Sequence, residues 1–125
     1  MCLFSACGLI IKENFFGNYF LTAPDTEEQL ALSYHDINDK DNYPTLIEET
    51  VFAVGYNETY IIVQQHPGRN KRVTNFYILP IKKGMDWKTK NGLIGPMTLE
   101  QFNEKRRTLN IPNELKFTIE KEDLK

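Results

Sequence analysis

The sequence predicts an α+β domain that is mostly antiparallel sheet, a meander of about six short strands, with one C-terminal helix packed on it. Three observations carry this expectation. Short runs of β-branched and aromatic residues recur between turn signals, the densest being TVFAVGYNETYIIVQQH. A single stretch, MTLEQFNEKRRTLNIP, has helical patterning bounded by a cap and a stop. The chain has 125 residues, 41% hydrophobic and 26% charged, which suits one folded domain needing neither metal nor disulfide.

The opening MCLFSACG admits three readings. Cys2, exposed by loss of Met1, could act as an N-terminal nucleophile, but that chemistry needs a larger scaffold and an oxyanion site that nothing downstream supplies. Leu3, Phe4, Leu9, Ile10 and Ile11 could form a first buried strand, with both cysteines as small core residues. In the third reading, LFSAC is the end of a lipoprotein signal with Cys7 as the lipidated residue. Ser5 and Ala6 supply the small side chains that cleavage requires. Three acyl chains on Cys7, at ~0.8 kcal/mol per buried CH₂, would hold the protein on a membrane. Phe4 stands where Leu is usual, and the charged and longer apolar parts of a signal do not precede it. The third reading is adopted: residues 1–14 are a signal remnant and tether, with Lys12 to Asn14 flexible, and 15–125 form the domain.

Each later element has a local reason. Asn18 to Ala23 reads as a strand ended by the Pro24-Asp25 turn. LALSYH alternates Leu30, Leu32 and Tyr34 against Ala31, Ser33 and His35, the period of a half-buried strand. HDINDKDNYP is an exposed loop. Val51 to Tyr56 and Thr59 to Gln65 form a hairpin about Asn57-Glu58, with Asn57 tolerating positive φ; Gly55 marks a bulge or close backbone contact. After the polar turn Pro67 to Arg72, Val73 to Ile81 is a third strand of this meander, and Pro80 places that strand's end at an edge. Lys82 to Gly95 is a loop carrying Trp87.

In the helix, Thr98 and Gln101 make a capping box, and Leu99, Phe102 and Leu109 make one apolar stripe. Arg106 and Arg107 suit its C-terminal end, and Pro112 lies past the stop. LKFTIE, with Leu115, Phe117 and Ile119 alternating, is the last strand.

The chemistry suggested by these residues is sparse. A net charge of −2 argues against nucleic acid as a partner, since neutralising phosphates needs a positive excess. No run reaches the ~18 apolar residues of a spanning helix. His35 and His66 sit at separate strand ends with no local ligand partner, so no metal and no cofactor is expected. Ser5 and Ser33 lie in no nucleophile elbow, GLIGP has no phosphate-loop spacing, and the adjacent pairs Glu27-Glu28 and Glu48-Glu49 would point to opposite faces of a strand. No catalytic residue is assigned.

VFAVGYNETYIIVQQHP, TNFYILPI and IGPMTLEQFNEKRRTLNIP together resemble a family of small uncharacterised bacterial proteins, many of them lipoproteins, classed as a domain of unknown function. The resemblance covers about residues 15 to 119, with the hairpin and helix phrases its specific parts. It implies an envelope location and a non-enzymatic role, and carries over no catalytic residues.

The expected function is therefore that of an envelope lipoprotein, membrane-anchored through Cys7, acting as a binding or accessory module for an unknown ligand or protein partner. Its contact loops are expected at His66, Arg69, Arg72 and Trp87. The alternative is an immunity-type inhibitor of a toxin, which size and charge fit equally well. A small hydrolase using His66 or His35 is the third reading.

Overall fold

The computed structural model describes residues 9–35, 42–81 and 92–125. Two antiparallel sheets and one helix form three layers. The first sheet has the order β1(Ile11–Phe16), β2(Tyr19–Ala23), β3(Ala31–Tyr34), β4(Thr45–Ile47). The second runs β8(Ile94–Met97), β7(Asn75–Pro80), β6(Tyr60–Gln65), β5(Val51–Tyr56), β9(Ile119–Glu120). Helix α1(Leu99–Thr108) covers the far side of the second sheet. The architecture is α+β and mostly sheet, but its strands divide into two sheets rather than one meander.

Side-chain alternation along β6 explains the layering. Ile61 and Val63 join Leu21, Leu32 and Leu46 of the first sheet in one core. Ile62 points the other way, to Phe76, Ile78 and Phe102 of α1. A strand buried on both faces reads as a continuous apolar run, as YIIV does. Each fully buried Ile or Leu here contributes roughly 1.5–3 kcal/mol of transfer free energy.

Several expectations change in detail. Lys12 to Asn14, expected as a tether, lie inside β1, paired with Thr22, Leu21 and Phe20. Lys121 reaches Glu13 at 2.9 Å and ties this edge strand to the segment after β9. β3 is not half-buried: Ser33 is wholly buried, its hydroxyl 2.7 Å from that of Thr22 on β2, so each satisfies the other. Asn57 shapes the hairpin without positive φ. Its Oδ1 accepts from the Thr59 and Tyr60 N–H groups, which is Asx-turn chemistry.

The loop expected over Lys82 to Gly95 gives way at its end to β8, which pairs Met97 with Phe76 and Ile94 with Ile78. This makes β7 an inner strand, and Pro80 is tolerated because it lies beyond the last β8 pair. The C-terminal strand shrinks to Ile119–Glu120, although the Thr118 and Lys121 N–H groups donate to Val54 and Phe52.

Helix α1 keeps its expected cap. Thr98 Oγ1 accepts from the Gln101 N–H, and Gln101 Oε1 accepts from the Thr98 N–H. Its stripe is narrower than expected, since Leu99 is 56% exposed while Phe102 is buried against Phe76 and Phe117. Ile111 and Leu115, beyond the helix, complete the contact.

Candidate functional site

β4 passes into β5 through Glu48, Glu49 and Thr50 alone, and the turn after β6 is laid against this short connection. Thr50 and His66 exchange both backbone hydrogen bonds at 2.8 Å, and the Gly68 N–H donates to the Glu49 carbonyl. Arg69 Nε donates to Glu49 Oε2 at 2.9 Å. Arg69 holds φ at 69°, a conformation uncommon outside glycine, and this ion pair and its turn hold it there.

Between these two connections and β8 opens a pocket of about 600 Å³. Its buried side is a polar relay. Gln65 and Asn75 are cross-strand partners, and Tyr77, two residues on, shares the face of Asn75. Gln65 Oε1 accepts from Asn75 Nδ2 and from the Tyr77 hydroxyl, each at 3.1 Å. Gln65 Nε2 donates to the Glu48 carbonyl at 2.7 Å, which fixes the amide at both ends. Burial pushes the Tyr77 phenol above its ordinary pKa; its hydrogen bonds to Gln65 and Asn75 oppose this, and the nearby Glu48 charge adds to the rise.

Gly95 closes the opposite wall. An ideal Cβ there would lie 2.6 Å from Tyr77 Cδ2, and φ is +133°, so glycine alone lets β8 lie on the ring. Pro67, Leu93 and Pro96 supply apolar surface. The rim carries Glu48, exposed and without an ion-pair partner among the described residues, and Glu49, engaged by Arg69. The arrangement offers neutral hydrogen-bonding groups, hydrocarbon and one uncommitted carboxylate.

A second depression, about 770 Å³, lies between α1 and β8. Glu100, Glu104, Lys105 and Arg107 mix both signs of charge around it, and Arg107 is already paired with Glu104.

The residues expected at the contact surface are only partly brought here. Arg69 reaches the pocket through Glu49. Arg72 is exposed but does not line the pocket. His66 is only 4% exposed and so is no surface contact. Its ring stacks on Phe52 at 4.2 Å and Nδ1 lies 2.9 Å from the Val73 carbonyl, whereas Nε2 has no partner among the described residues. His35 stacks on Tyr43 beside the first sheet, away from His66. Cys7 and Trp87 lie outside the described residues.

Sequence reasoning missed Glu48, Gln65, Asn75 and Tyr77. The available signal was Gln65 itself, an amide that continues the buried face of Ile61 and Val63.

No curated protein and no solved structure matches the chain. The family described as "Protein of unknown function (DUF3997)" matches residues 16–125, a span holding the pocket, nearly all of both sheets and the helix. The chain belongs to this family.

Proposed function

We propose that this chain is a non-enzymatic binding module of the cell envelope, membrane-anchored by lipid on Cys7, which takes its ligand or protein partner at the pocket beside Gln65 and Tyr77. The observation that carries the binding role is the relay among Gln65, Asn75 and Tyr77. Two amides and a phenol are fixed by one another on the buried side of an open pocket, which suits recognition by hydrogen bonding. Preorganised groups of this kind lose little freedom when a ligand docks.

The anchor is supported by LFSAC, with Ser5 and Ala6 ahead of Cys7. The Ile10 N–H already donates to the Ala23 carbonyl at 2.9 Å. With ~3.5 Å per residue at full extension, lipid on Cys7 would hold the β1 edge close to the bilayer surface.

The test is the intact mass of the protein recovered from its native host, expressed from the genomic start with upstream sequence included. A chain beginning at Cys7 and carrying diacylglycerol and acyl chains is expected, and Cys7→Ser should release it from the membrane fraction. An unmodified chain retaining Cys2 would overturn the anchor and favour the toxin-inhibitor role.

A further inference from the structure

The charges and the committed hydrogen bonds of the pocket beside Gln65 and Tyr77 bear on what it can hold. Two of its wall residues, Pro67 and Pro96, have no N–H at all. The Gly68 N–H is spent on the Glu49 carbonyl, and the Tyr77 hydroxyl hydrogen on Gln65 Oε1. One Gln65 amide hydrogen goes to the Glu48 carbonyl. Tyr77 Oη, Asn75 Oδ1 and the Glu48 carboxylate are acceptors on residues that line the pocket.

The charges point the same way. Among the described residues, Glu48 and Glu49 line the pocket and no basic residue does. The Arg69 guanidinium is bonded to Glu49, which leaves Glu48 as a carboxylate without a counter-ion among the described residues. An anion would be repelled by this charge, whereas a cation would complete the pair.

We propose that this pocket binds a monovalent organic cation, an ammonium or guanidinium on a short hydrocarbon chain, with Glu48 as counter-ion, Tyr77 Oη and Asn75 Oδ1 as acceptors, and Pro67, Leu93 and Pro96 around the chain. This rests on reading the pocket as the binding site. The same chemistry is found in a free small amine and in a basic side chain of a polypeptide.

The experiment is a titration of the full chain, followed by NMR of the Gln65 and Asn75 side-chain amides, with pentylamine, its neutral isostere 1-pentanol, and the capped tripeptide acetyl-Gly-Lys-Gly-amide. Pentylamine should shift these signals, and Glu48→Gln should weaken it at least about tenfold, the loss of one charge-assisted hydrogen bond. Glu58→Gln, in the hairpin turn away from the pocket, should leave it unchanged. A stronger response to the tripeptide assigns the site to a polypeptide, and a stronger response to pentylamine to a free amine. Pentanol binding as well as pentylamine, or indifference to Glu48→Gln, overturns the cation while the pocket still stands as a binding site. Signals that move with no probe overturn both.

Discussion

The backbone of Lys116 lies directly over Gly55: a Cβ built on Gly55 would sit 2.0 Å from the Lys116 carbonyl oxygen. Gly55 is on β5 opposite Ile62, on the side of the second sheet that receives α1 and the segment following it. The close approach lets Leu115 reach its buried place beside Phe102, so an absent side chain decides where the C-terminal segment runs. Gly55→Ala should therefore cost about 2 kcal/mol or more, because backbone must move. Urea denaturation would check this, and an unchanged midpoint would disprove the close approach.

Phe102 and Leu99 lie three residues apart on α1 but have opposite fates. Phe102→Ala should destabilise the protein by roughly 3–5 kcal/mol, through lost burial and the cavity left against Phe76. Leu99→Ala should change stability by under about 0.5 kcal/mol. Thermal or urea unfolding of the two variants, side by side, tests the assignment of the docking face.

Asn110 ends the helix in the left-handed region, with φ at 56°. The Ile111 N–H returns to the Arg106 carbonyl and the Asn110 N–H to that of Arg107, the bond pattern of a Schellman cap. Asn110→Ala should cost about 1 kcal/mol and Asn110→Gly should stabilise slightly. Chemical denaturation of the pair reads the difference, and identical midpoints would contradict the cap.

Tyr19 and Tyr77 both have phenol pKa values raised above 10.0, chiefly by burial. For Tyr19 the neighbouring Tyr34 adds to the rise. In the unfolded chain these groups lose their protons first, so between the two pKa values the folded state binds more protons. Their contribution to stability is therefore fully present below pH about 10 and falls as pH rises through the folded values. Urea midpoints between pH 8 and 11 should be flat and then drop, and Tyr19→Phe with Tyr77→Phe should make the drop shallower.

Much of the fold was legible because its signals are local. The capping box at Thr98 and Gln101 depends on residues three apart, and the hairpin from Val51 to Gln65 on a β-branched run broken by one turn. β8 was not legible, since Gly95 and Pro96 are poor strand formers and only the neighbouring β7 holds them there. The stripe from Leu99 to Leu109 is buried only in part: periodicity names a face without saying how far its partner extends. The expectation of His66 in a contact loop fails because Phe52, bulged out of β5's pairing with β6, stacks on its ring.

The sequence by itself determined the α+β class, the helix with its cap, the central hairpin and the family likeness, because neighbouring residues decide these through propensity, spacing and turn chemistry. Only the tertiary structure decided that the strands divide into two sheets sharing one core, and that Glu48, Gln65, Asn75 and Tyr77 meet around one pocket. Those four residues come from three separate segments, and what joins them is strand register, a long-range relation that no local pattern specifies.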